Sequence, residues 1–130
     1  MKVRWTSESV RLRITPSELA KLGNGENIEI SLNFLGGVCW KIQVVPQQSE
    51  SSLLSQNGVA TINITQNDYL VLSKEDCEGL YFSQVETPEI QYYIEKDFPC
   101  VAPRGAEILE LPTETFVAPS DFAERKGVEC

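Results

Sequence analysis

A mainly β protein with two short helices, built from two copies of one ββαββ unit around a common core, is the fold class this sequence predicts. Three observations predict it. Apolar and polar residues alternate with the period of a half-buried strand, helix-start signals occur twice, and the apolar pattern recurs after a shift of 50 residues. The copies cover residues 1–45 and 51–98 of a single domain, residues 1–100, and residues 101–130 follow as an extended C-terminal strap or tail.

In the first copy, residues 2–5 and 10–14 alternate, and residues 6–9 supply the turn of a hairpin. Thr15-Pro16-Ser17-Glu18 then reads as a helix start. Thr15 is the N-cap, Pro16 takes the first helical place, where no N–H is needed, and Glu18 closes a capping box. Leu19 and Leu22 share one face of a helix of about two turns that Gly23 stops. Ile28, Ile30, Leu32 and Phe34 alternate with polar residues, the chain turns at Gly36-Gly37, and Val38, Trp40, Ile42 and Val44 return on one face. Residues 46–50 form a polar linker.

The second copy repeats these devices. Residues 52–55 and 59–64 flank Asn57-Gly58, a pair suited to the positive φ angles of a tight hairpin turn. Thr65-Gln66-Asn67-Asp68 starts a helix with weaker capping, and Gly79 is its later breaker. Residues 80–86 and 89–98 form the closing hairpin around Thr87-Pro88. Under the shift, Leu12 falls on Ile62, Ile14 on Ile64, Leu22 on Leu72 and, after two extra residues, Ile28 on Leu80, Trp40 on Tyr92 and Ile42 on Ile94.

Apolar residues make up 42% and charged residues 23% of the 130, an ordinary globular balance. No apolar stretch has the length of a signal peptide or of a bilayer span, so a cytoplasmic protein without membrane contact is expected. The four cysteines never fall into a C-x₂₋₄-C pair and no histidine is present, so neither a metal nor a cofactor is expected. Net charge is −8, with +1 in residues 1–50, −6 in residues 51–100 and −3 in residues 101–130. Such a surface repels a phosphate backbone, which disfavours nucleic acid as a partner. No nucleophile-elbow, P-loop or dinucleotide fingerprint occurs, and the reading is noncatalytic.

Met1-Lys2-Val3, the strand of residues 9–14 and the helix of residues 17–23 resemble the strand, turn, strand and short-helix order of the AbrB and MazE families. That resemblance implies a pseudo-two-fold, swapped-hairpin β-barrel in which the two halves of one chain replace the two chains of a dimer. The families favour Gly-Asn-Ser in the first turn, where this chain has Ser7-Glu8-Ser9. Over its length the chain is similar to a family of uncharacterised small bacterial proteins that share Arg11-Leu12-Arg13 and the segment of residues 94–100. No activity comes with that likeness.

Four residues of the domain are candidates for binding. Arg11 and Arg13 leave one strand face together, and Glu95 and Asp97 share a face about 7 Å apart, a spacing compatible with an acid and base pair or a hard cation. Alternating charge is more commonly the guard of an edge strand, the reading preferred here, and Asp97 is an alternative salt-bridge partner for Arg11 or Arg13. In the tail, Leu109, Leu111, Phe116 and Phe122 are candidate anchors for a partner, or for the chain's own core. The functional expectation is a noncatalytic protein-binding or regulatory module, monomeric as a pseudo-dimer or weakly homodimeric, whose partner is another protein. An AbrB/MazE-like transcription regulator or antitoxin, and a small metal-dependent enzyme using Glu95 and Asp97, are the alternatives.

Overall fold

Side chains of a strand point alternately to its two faces, and in this chain the inward set is almost uniformly branched and apolar. The computed structural model describes residues 1–37, 39–86, 89–99 and 114–119. Its elements run β1 (Lys2–Trp5), β2 (Ser9–Ile14), α1 (Pro16–Gly23), β3 (Ile28–Asn33), β4 (Cys39–Gln48), β5 (Ser52–Gln56), β6 (Val59–Thr65), α2 (Gln66–Leu72), β7 (Gly79–Gln84) and β8 (Ile90–Lys96). The ββαββ order thus occurs twice. Among the described residues, no helix is long and apolar enough to cross a membrane.

The strands form two four-stranded sheets, in the orders β1-β2-β8-β7 and β3-β4-β6-β5. Each sheet takes one hairpin from each half of the chain, and the hairpins meet along the parallel pairs β2·β8 and β4·β6. The expected barrel does not close. Among the described residues β1, β7, β3 and β5 remain edges. The two sheets meet through side chains instead of through edge hydrogen bonds, as where Trp5 of β1 lies against Trp40 of β4 with ring centroids 5.0 Å apart.

Among the described residues twelve buried apolar side chains make the core, and the strand registers and the two like-capped helices sort them into six equivalent pairs: Leu12 and Ile62, Ile14 and Ile64, Leu22 and Leu72, Ile28 and Leu80, Ile42 and Tyr92, Val44 and Ile94. The last two pairs correct the sequence alignment. Ile42 faces Ile30 and Ala60, while Tyr92 faces Phe82 and Val10, so Tyr92 holds the place of Ile42 and not of Trp40. The two residues gained ahead of β7 are lost again in the next turn. A shift of two preserves which face a side chain takes, so alternation alone does not distinguish these registers.

Both helices start alike. Glu18 N–H donates to the Thr15 hydroxyl at 3.3 Å while the Glu18 carboxylate accepts from Thr15 N–H at 2.8 Å. In α2, Asp68 and Thr65 make the same reciprocal bonds at 3.0 and 2.8 Å, so the second cap is complete and not weak. The helix ends differ. After α1 the chain turns through Gly25 at φ +79, whose N–H donates to the Leu22 carbonyl. After α2, Lys96 reaches from β8 to the Lys74 carbonyl at 2.7 Å. The expected linker is shorter than residues 46–50, because β4 continues past buried Pro46 around a bulge at Gln47, φ 59, and rejoins β6 at Gln48.

Candidate functional site

The register of the first sheet lays two rows across its outer face. One row runs Lys2, Arg13, Glu95 and Gly79; the next runs Arg4, Arg11, Tyr93 and Tyr81. Arg11 and Arg13 therefore do share a face, as their spacing predicts, and Lys2 and Arg4 of the neighbouring strand extend it. The Glu95 carboxylate lies between the arginines, 3.6 Å from Arg11 Nε and 3.9 Å from Arg13 Nε. These are ion pairs too long for hydrogen bonds, with both arginines still substantially open to solvent.

Aromatic rings complete the surface. The Arg11 guanidinium stands over the Tyr93 ring at 5.3 Å, and Tyr93 packs against Tyr81 with centroids 5.4 Å apart. Burial, then the negative charges of Glu95 and Glu78, then a hydrogen bond to Glu95 push the Tyr81 phenol up to about 12, against a smaller opposite pull from Arg11. Gly79 makes room for this arrangement. A Cβ there would stand 2.8 Å from the Ile94 carbonyl and 3.0 Å from the Glu95 side chain. Its place is therefore the start of β7 beneath Glu95, in addition to being beyond the helix.

Glu95 and Asp97 are not brought to a common ligand. Asp97 follows the end of β8, is 3% exposed, and pairs with Lys2 at 2.8 Å, so the arginines take Glu95 and the lysine takes Asp97. Backbone bonds fix Asp97 on both sides: its N–H donates to the Ile14 carbonyl at 2.9 Å, and its carbonyl accepts from Phe116 N–H at 2.8 Å. Among the described residues no cluster of three metal-ligating side chains occurs.

That second bond ties part of the tail to the domain. Phe116 sets its ring edge-on to Phe98 at 6.2 Å and beneath the Lys96 ammonium at 5.5 Å. Glu114 accepts from the Ser17 N–H at 3.0 Å and from its hydroxyl at 2.7 Å, at the start of α1. Leu109, Leu111 and Phe122 lie outside the described residues. Lys96 itself, 7% exposed, is the functional candidate that the sequence reading missed. Burial lowers the affinity of its amine for a proton, an effect offset in part by Cys77, Asp76 and Glu75.

Basic face and strapped pole adjoin where Lys2 of the face pairs with Asp97 of the pole. No curated protein and no solved structure matches the chain. One family model does match, over residues 1–114, covering both sheets, and by that match the chain belongs to a family of unknown function (DUF7009).

Proposed function

We propose that the chain is a noncatalytic protein-binding module that engages an acidic surface of its partner through the outer face of β1, β2 and β8. The observation that carries this reading is the gathering of Lys2, Arg4, Arg11 and Arg13 on one sheet face of a chain whose net charge is −8. Exposed cations beside tyrosines steer and hold an acidic protein partner, and rim charges of this kind act mainly on the association rate. In this proposal the protein is cytoplasmic and works as a monomer, its halves supplying the pseudo-dimer.

The second reading is an AbrB/MazE-like regulator or antitoxin. Exchange of hairpins between the sheets favours it, as a duplicated swapped-hairpin arrangement in one chain would give this strand order. Against it, a two-fold reader of DNA presents its basic patch twice, and the equivalent positions of the second sheet are Ser52, Leu54, Thr61 and Asn63. The metal-enzyme reading loses its motive, because Glu95 and Asp97 are each held by different cations.

The test is capture from lysate of the source cell by the wild-type chain and by Arg11→Glu/Arg13→Glu, each at low and high salt, beside a titration with random duplex DNA. The reading requires a captured protein that the reversed face and high salt both release, with no DNA binding at low salt. Identical capture by both chains overturns it, and DNA binding lost in the variant moves the assignment to the regulator.

A further inference from the structure

The equivalence of the two halves is an internal control for what the fold demands at the end of its last strand. Because Val44 matches Ile94, the place of Pro46 at one pole is taken by Lys96 at the other, and beyond it the bulge at Gln47 ends the residue-by-residue match. Pro46 is buried without any charge, so the first pole closes on an apolar ring. The second pole closes on an ammonium. Burying one is unfavourable without partners, and the first pole shows that the architecture does without it. Its partners are the Lys74 carbonyl and the ring of Phe116, so the lysine serves the helix end and the strap together.

Residues 114–119 sit on this pole as a short peptide would. A carboxylate meets the N–H and hydroxyl of Ser17, a main-chain N–H meets the Asp97 carbonyl, and a ring enters between Phe98 and Lys96. Among the described residues, the strap does not fill the site. A groove of about 660 Å³ remains among Leu19, Glu75, Asp76, Lys96, Phe98 and the strap, and Val117 stays 94% exposed. Glu75 and Asp76 have no ion pair with a described residue.

We propose that this pole is a docking site for an extended peptide of a partner protein, with the pattern Glu-x-Phe followed within three residues by a lysine or arginine, and that residues 114–119 occupy it in cis as a resident competitor. The first two positions are read from the strap's own contacts, and the basic residue answers Glu75 and Asp76 on the open side of the groove. A second copy of the chain is the weaker occupant. Its strap offers no contact that the cis strap lacks, and the cis strap acts at an effective concentration on the order of millimolar. A successful ligand has to add contacts, and the open groove is where they are available.

The experiment uses the full chain carrying Glu114→Ala/Phe116→Ala, which disables the competitor and leaves Ser17, Lys96, Asp97 and Phe98 intact. A fluorescent peptide Thr-Glu-Thr-Phe-Val-Lys-Arg is titrated by anisotropy against this variant and against the wild-type chain. Binding at least tenfold tighter to the variant is expected, and it should weaken at least tenfold when the peptide's Phe is replaced by Ala. In the wild-type chain, excess peptide should shift the Ser17 amide resonance, a readout that needs no variant. Equal affinity for both chains, or no binding by the variant up to millimolar peptide, overturns the proposal. Adding Arg11→Glu/Arg13→Glu to the variant should leave peptide affinity within twofold, so this site and the basic face fail or stand separately.

Discussion

On the second sheet, Asn63 donates to the Ser52 hydroxyl at 2.9 Å and Gln43 to the Thr61 hydroxyl at 3.0 Å, so short, neutral hydrogen bonds join β4, β5 and β6 on the outer face, beside a Lys41–Glu29 ion pair of 3.3 Å toward β3. The equivalent positions of the first sheet hold Arg13, Lys2, Tyr93 and Arg11, the two arginines 3.9 and 3.6 Å from the Glu95 carboxylate and Lys2 paired with Asp97. Inside, the same two sheets contribute matched apolar side chains to one core. Close packing penalises a change of volume or polarity within, whereas an exposed strand face accepts either chemistry at little expense in stability. The inner faces therefore report what the fold needs, and the outer faces report what distinguishes one sheet from the other.

The largest expected effects break or support the inner equivalence. Leu12 and Ile62 are both 0% exposed, and truncating either to alanine should lower stability by about 2–5 kcal/mol. Urea unfolding of Leu12→Ala and Ile62→Ala should give similar losses; a surface-like value at one site would mean that the two halves do not share the interior equally. Gly79→Ala comes next. The added Cβ has to displace the Ile94 carbonyl or Glu95, at a cost of about 1–3 kcal/mol for an overpacked site. The same unfolding measurement reads it, together with a change in the Tyr81 titration if Glu95 is the group that moves.

Thr15→Ala and Thr65→Ala should each cost about 1 kcal/mol, since both hydroxyls cap their helix through one N–H. This pair sharpens the comparison from the sequence side. Thr15 and Thr65, and the inward series in each strand, were legible because capping and alternation are local signals carried by neighbouring residues. The exchange of hairpins was not derivable from alternation, which says which face a side chain takes and is silent about which strand lies beside it. The basic face was half legible: Arg11 and Arg13 announce themselves two residues apart, but their carboxylate comes from β8 and only the parallel pairing reveals Glu95. Lys96 lies in the same inward series as Tyr92 and Ile94. That period puts it inside, and the structure buries it there despite its charge.

Tyr81 allows a test that depends on pH. Its phenol is raised in the folded state to about 12 from an ordinary value of 10.0, so the unfolded chain loses this proton first. The stability it contributes is fully present below pH 10 and is lost as pH rises through the folded value. Stability of the wild-type chain should therefore fall between pH 10 and 12 more steeply than that of Tyr81→Phe. Parallel curves for the two chains would place the phenol outside the influence of Glu95 and Glu78.

The smallest expected effect bears most directly on why the outer faces differ. Arg13→Asn copies the residue that occupies the same place in the second sheet. With its guanidinium nearly half exposed and its Glu95 pair at 3.9 Å, the substitution should change stability by less than about 1 kcal/mol. A loss of that size or smaller in urea unfolding means that Arg13 is not retained for stability, as the proposed recognition role requires. A loss comparable to that of Leu12→Ala would instead make Glu95 and its arginines a structural clamp between β2 and β8, and the case for a partner on this face would lose its physical basis.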